Sequence, residues 1–257
     1  MGVYGTVFSI GIVAGPILLE FTGTQGAKPF VIGAACLVLT LLPLGLLRGV
    51  TSAPQEFTPL RGLSGALKTA PVVMLAALVA GLVESADLTL LPLFGLHSGL
   101  DERAALLLVA VFMAGNVVLQ VPIGLLADRY GRKTLLAACA VTSCIGPLLL
   151  QRCLGTPLLL WPLLFIWGGT LYAFYSQGVA LLGEEFAVEN LPSANTLFVM
   201  VYCLGGVIGP STGGMAMDLW PNRGLPVLLS GAALLMLGGL ALSGGRRRAH
   251  LARRPSQ

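Results

Sequence analysis

Gly124-Leu125-Leu126-Ala127-Asp128-Arg129-Tyr130-Gly131-Arg132-Lys133 is the stretch on which the fold turns. An apolar run stops at Ala127 and another starts at Thr134, so this segment closes one helix and opens the next. A helix C-terminus already carries partial negative charge, which makes Asp128 unfavourable there alone. It needs a positive partner, either Arg132 or the N-terminus of another helix. Gly124 permits that helix to come close, and Gly131 permits the tight turn. Arg129, Arg132 and Lys133 are within reach of carboxylates in a later link, namely Glu184, Glu185 and Glu189.

Working outward, the chain has 257 residues with 15 basic and 11 acidic side chains, so 10% are charged while 56% are hydrophobic. Soluble domains carry about 25% charged residues. With a mean hydropathy of +0.88, too little polar surface exists to cover a water-exposed globule. The composition excludes a soluble enzyme, a disulfide-stapled secreted domain and a disordered chain. Cys36, Cys139, Cys144 and Cys203 lie within apolar runs and Cys153 ends one, so the odd set of five reads as packing residues. No basic stripe interleaved with aromatics suggests nucleic acid.

A bilayer core requires about 20 apolar residues per helix. Runs of that kind cover 3–19, 29–47, 71–96, 104–127, 134–150, 158–182, 195–217 and 226–242. The expected fold is therefore an all-α membrane protein of eight transmembrane helices. The longest link, 48–70, contains Pro54, Pro59 and Gly62 and reads as a cytoplasmic linker between two bundles. Lys and Arg set the orientation. One side holds Arg48, Arg61, Lys68, Arg129, Arg132, Lys133, Arg246, Arg247, Arg248, Arg253 and Arg254; the other holds Lys28, Arg103, Arg152 and Arg223. Eleven against four places both termini in the cytoplasm. The basic tail, 244–257, reads as an anchor against anionic lipid.

The chain also repeats itself. Gly11, Gly15 and Pro16 of the first run recur as Gly205, Gly209 and Pro210 of the seventh, followed by Gly213 and Gly214. Gly33-Ala34-Ala35 of the second run recurs as Gly231-Ala232-Ala233 of the eighth. If the repeating unit is six helices, 71–243 is one complete unit. Residues 1–47 are then the last two helices of a preceding unit, whose first four would span roughly 140 residues. Glycines four apart let helix backbones approach, and a proline after them bends the helix. Its appearance twice suggests a hinge or seal shared by two related halves.

The Gly124–Lys133 run resembles the loop between the second and third helices of each half in the major facilitator superfamily. It occupies that position in the six-helix unit, and Gly205–Gly214 resembles the family's Gly-Pro sequence on the fifth helix of a half. The chain is thus similar to helices five to twelve of a twelve-helix transporter, most like bacterial transporters of unassigned substrate. The resemblance implies a partial major-facilitator fold, the end of an N-terminal bundle plus a complete C-terminal bundle, working by alternating access. It implies a gating loop made of Gly124, Asp128, Arg129, Gly131, Arg132 and Lys133, with Asp128 near the cytoplasmic start of the first run. It further implies a multi-pass protein of the bacterial inner membrane, monomeric at full length. With four helices of the family's plan absent, a truncated form, a late start codon or a fragment is expected.

Within the membrane, Glu84 and Asp87 share one face of the third run at i, i+3. A charge at mid-bilayer costs about 2.5–3.5 kcal/mol on insertion scales, so two on one face point to an aqueous cavity. That arrangement suits proton coupling or cation binding. The alternative is a structural pair satisfied by neighbouring helices. Asn116 and Gln120 share a face at i, i+4 and read as interhelical hydrogen-bonding groups or substrate contacts. Tyr172, Tyr175 and Ser176 share a face, with Gln177 adjacent; they line a cavity or pack as aromatics. Tyr202 lies on the same side of its run as Asn195. No P-loop, Ser/His/Asp set, metal cluster or haem motif occurs, so neither a cofactor nor ATP-driven chemistry is expected. The function expected is secondary active transport of a small solute, with protons. The alternatives are a non-transporting remnant or regulatory membrane protein, and a membrane enzyme using Glu84 and Asp87, which the missing nucleophile and metal set disfavours.

Overall fold

Lipid offers a backbone no hydrogen-bonding partner, so an apolar chain that crosses it must close its own bonds as helices. The computed structural model describes residues 26–39, 41, 65 and 69–252, from 244 onward as backbone alone. The chain divides into two compact units, Met1–Thr58 and Pro59–Gln257. The described helix of the first is α1 (Lys28–Leu39). The second unit contains α2 (Pro71–His97), α3 (Glu102–Tyr130), α4 (Arg132–Cys153), α5 (Pro157–Glu185), α6 (Leu191–Leu219) and α7 (Gly224–Ala252).

Among the described residues, six helices are long and apolar enough to cross a membrane, not the eight expected. The run at 3–19 lies outside the described residues, and with it Gly11, Gly15 and Pro16. The run at 29–47 is described as α1 and residue 41, while residues 40 and 42–47 lie outside the described residues. The remaining six runs are all helices, each extending past its apolar pattern. The pattern stops where polar residues begin, but a helix continues into the headgroup region before it ends. Links are short: Gly131 alone separates α3 from α4, with φ at +88°, a conformation that glycine adopts without a steric penalty. Prolines sit inside α2 to α6, at Pro92, Pro122, Pro147, Pro162 and Pro210.

Two parallel helix pairs and two further contacts form much of the six-helix unit. Helix α2 runs alongside α6, α3 alongside α5, and α4 packs on α7 and α5. Short links alternate the chain direction, so α2–α3–α4 and α5–α6–α7 are inverted with respect to each other. Exchanging these triples turns the α2/α6 pair into the α5/α3 pair. Both pairs are made the same way. A Cβ at Gly81 would overlap the Tyr202 carbonyl, and at Gly205 or Gly209 the Leu78 or Leu82 carbonyl. In the second pair a Cβ at Gly115 would meet the Phe165 carbonyl, and at Gly168 the Phe112 carbonyl. Missing side chains thus bring backbones into contact, which is how helices gain dispersion energy where lipid removes the hydrophobic driving force. Trp167, Phe94, Phe112, Phe174 and Phe198 fill the remaining core, with Phe112 edge-on to Trp167.

The glycines after Tyr202 therefore divide by role. Gly205, Gly209 and Gly213 are buried packing positions, whereas a Cβ at Gly214 would meet nothing. Gly205→Val and Gly209→Val should lower the thermal midpoint in detergent, with an overpacking cost of about 1–3 kcal/mol each. Gly214→Ala should be neutral or slightly stabilising, since alanine is the better helix former by ~1 kcal/mol. Circular dichroism melts of the three variants check the contrast.

Candidate functional site

The α2/α6 contact decides what happens to the two membrane carboxyl groups. With Gly81 pressed on the Tyr202 backbone, the Tyr202 side chain reaches along α2, and its hydroxyl donates to Glu84 Oε2 at 2.9 Å. Glu84 is half-buried. Asp87, one turn further, is completely buried, and neither of its carboxyl oxygens has a hydrogen-bond partner among the described residues. The shared helix face is real, but the two groups have different surroundings. The reading of a structural pair satisfied by its neighbours fits Glu84 and does not fit Asp87.

Aromatic rings from two helices stand around Tyr202. Tyr175 of α5 lies 5.0 Å from the Tyr202 ring and 5.5 Å from Phe198, both edge-to-face, and 5.9 Å from Tyr172. Edge-to-face pairs of this kind add about 0.5–1.5 kcal/mol beyond their buried area. Glu84, Tyr172, Tyr175 and Tyr202 are thereby gathered into one constellation from α2, α5 and α6. Gln177 is buried, and Ser176 and Gln120 are half-exposed. Asn116 is 7% exposed, with Oδ1 unpartnered, so that oxygen does not serve as interhelical glue. Its depth matches Asp87: Gly95 of α2 meets Ala105 and Leu108 of α3, with Asp87 two turns before Gly95 and Asn116 two turns after Leu108.

Sequence reasoning missed Phe198, although its i, i+4 spacing to Tyr202 was available. It also missed the buried, unpartnered Ser143 hydroxyl and Trp167 Nε1, and the bond from Ser230 Oγ to the Cys144 carbonyl that ties α7 to α4.

At the other end of α3, the charges largely pair as their sequence suggests. Arg132 Nε lies 3.0 Å from Glu184 Oε1 and its Nη2 lies 3.5 Å from Asp128 Oδ1. Lys133 Nζ is 2.7 Å from Glu185 Oε1. These bonds tie the start of α4 to the end of α5. Glu189 is exposed on the short 3-10 turn Val188–Asn190. Arg129 differs from expectation: its guanidinium lies over the neighbouring Tyr130 ring, 5.6 Å from the centroid. A Cβ at Gly124 would touch nothing among the described residues, and the start of the first run, expected near Asp128, lies outside them. The Asp128 side chain is 70% exposed, so Arg132 satisfies it only in part.

A sequence profile described as the Major Facilitator Superfamily matches residues 96–256. The chain belongs to the Major Facilitator Superfamily. It is 23% identical over 230 residues to the uncharacterized MFS-type transporter YfkF of Bacillus subtilis, covering 88% of this chain and 59% of that protein. It is 26% identical over 239 residues to an uncharacterized MFS-type transporter of Yersinia enterocolitica, covering 92% of this chain and 61% of the relative. A third such transporter, from Enterobacter, is 26% identical over 245 residues with the same two coverages, 92% and 61%. The chain spans about 60% of the length of these relatives. It is a multi-pass membrane protein of a transporter family.

In this major facilitator chain, the matched stretch begins near the end of α2, so Glu84 and Asp87 lie before it. Their placement rests on the geometry alone, and stability separates their roles. Tyr202→Phe should cost about 0.5–1.5 kcal/mol, the net worth of one hydrogen bond, because the ring contacts survive. Asp87→Asn should leave the thermal midpoint unchanged or raise it, because it removes an acidic group that the fold does not satisfy. A clear drop for Asp87→Asn in a detergent melt would assign it a structural partner instead.

Proposed function

We propose that the chain supplies the greater part of a secondary active transporter, which moves a small solute across the bacterial inner membrane by alternating access. In this reading 71–243 is one six-helix bundle, 48–70 the linker, and 1–47 the end of the other bundle. Both termini lie in the cytoplasm, and the protein works as a monomer at the length of its relatives. A central site near the bilayer midplane, between two rocking bundles, is the plan of such carriers. Protons are the coupling ion.

The observation that carries the coupling is Asp87, a carboxyl group fully buried at mid-helix with both oxygens unpartnered. An acid in such a place is retained at a cost to folding, and a transferable proton gives it a use. Glu84, held by Tyr202, joins that helix face to α6. A proton gained or lost on α2 then changes a bond to the helix that carries Gly205, Gly209 and Pro210. Asn116, Gln120, Ser176 and Gln177 are the remaining candidates for the cavity wall.

The Gly124–Lys133 loop acts in this scheme as the cytoplasmic clasp. Arg132 and Lys133 fix it to α5, which leaves the exposed Asp128 to meet the opposite bundle at the start of the first run. Gly124, open on the same helix, gives that bundle room to approach.

The test is reconstitution into liposomes, using the chain alone and the chain extended to the length of its relatives. A solute that is carried should collapse an imposed pH gradient. Glu84→Gln and Asp87→Asn should each slow that collapse by tenfold or more, about 1.4 kcal/mol in the barrier. Flux of equal rate in both variants at every pH would remove the coupling assignment. Asp128→Asn should shift the labelling of cysteines placed along α5 and α6 toward access from the cytoplasmic side. An unchanged labelling pattern would remove the clasp.

A further inference from the structure

The charge inventory of the membrane interior discriminates among solutes. Among the described residues Arg103, Arg129, Arg132, Lys133, Arg152 and Arg223 all lie in end turns or links. The middle of the spans carries two carboxyl groups, Glu84 and Asp87, and no basic side chain. Among the described residues, an anionic solute finds no counter-charge in the middle of these spans. A cation finds a carboxyl group bonded to Tyr202, with the Tyr175 ring 5.0 Å from that of Tyr202 and 5.9 Å from that of Tyr172. Aromatic faces attract cations of low charge density, because such ions lose little hydration on entering. A small, strongly hydrated ammonium instead needs several oxygen acceptors, and Tyr202 already takes Oε2 of Glu84.

We propose that Glu84, Tyr172, Tyr175 and Tyr202 form a binding site for a hydrophobic organic monocation. The proposal deepens the transport reading by naming its substrate class, and it rests on that reading for its physiological meaning. Glu84 supplies the charge. The tyrosines of α5 and α6 supply ring surface. Asp87 and Asn116, whose buried oxygens lack partners, keep the neighbouring interior electronegative. The site therefore recognises charge sign and apolar bulk together, and does not depend on a pattern of hydroxyl groups.

The probes are tetraphenylphosphonium and tetraphenylborate, which match in shape and differ in sign. Equilibrium dialysis against the intact chain in detergent, with empty micelles subtracted, should show saturable phosphonium binding at least about tenfold tighter than borate. Glu84→Gln should weaken phosphonium by about tenfold or more, and Tyr175→Leu by about threefold or more, while Tyr175→Phe keeps wild-type affinity because it keeps the ring. Helicity and monodispersity of each variant serve as folding controls. Borate binding as tight as phosphonium overturns the proposal on the unmutated chain alone, whatever the variants do. Phosphonium affinity indifferent to both Glu84→Gln and Tyr175→Leu also overturns it. Saturable, Glu84-dependent phosphonium binding in a protein that moves no protons would sink the transport reading and uphold this site. Proton-coupled flux of a neutral or anionic solute without phosphonium binding would do the reverse.

Discussion

Backbone contact between α2 and α6 is the constraint from which the rest follows. Gly81, Gly205 and Gly209 bear no Cβ where one would strike the facing carbonyl oxygen. Only at that separation can a phenol on α6 reach a carboxyl group on α2 with a 2.9 Å hydrogen bond. Widening the pair by one methyl group would move Tyr202 off Glu84 and loosen the ring stack behind it. The site is thus a consequence of packing: a pair of helices held at backbone distance fixes side chains to fractions of an ångström, which no loop in lipid could do.

The same construction occurs twice. The α3/α5 pair uses Gly115 and Gly168 as the α2/α6 pair uses Gly205 and Gly81, and the two pairs are related by inverting one triple of helices onto the other. The candidate polar groups do not follow this symmetry. The α2/α6 pair carries Glu84 and Tyr202, while the corresponding interface of α3 and α5 is filled by Phe112 and Trp167. One interface has been made into packing and the other into a polar site, on a common scaffold.

What the sequence made legible follows from which forces are local. Six spans and their approximate ends could be read because the bilayer imposes length and apolarity on every crossing chain. The pairing of Arg132 and Lys133 with Glu184 and Glu185 could be read because few charges face one another on that side. The Glu84–Tyr202 bond could not be read, as its partners stand 118 residues apart and meet only through the glycine contact. Nor could the contrast between Glu84 and Asp87, since i, i+3 spacing fixes a face but not what lies opposite it. Gly205 and Gly209 could be read for close approach, with Pro210 for bending, but the carbonyls they face, those of Leu78 and Leu82, could not. Of the eight expected spans, six are present among the described residues; the first run and residues 40 and 42–47 of the second lie outside them.

The unpartnered carboxyl of Asp87 contrasts with hydroxyl groups of the bundle that bond to backbone carbonyls. Thr142, Thr170, Thr196, Ser211, Thr212 and Ser243 all return their hydroxyl protons to carbonyls three or four residues back. Ser230 finds a carbonyl on a different helix. The oxygens of Ser98, Ser143 and Asn116 and the Trp167 Nε1 share the buried, unpartnered state of Asp87, and Asp87 is the ionisable member of that set. Asp87 lacks a donor at the depth where the insertion cost of a charge is greatest. The Asp128 loop shows the opposite economy, with ion pairs that are partly exposed and therefore weak, about 0.2–1 kcal/mol each. In the proposed transport cycle, weak contacts would suit a clasp that opens, and an unsatisfied acid would suit a proton that leaves. In that proposal, strong bonds at either place would hold one state and stop the cycle.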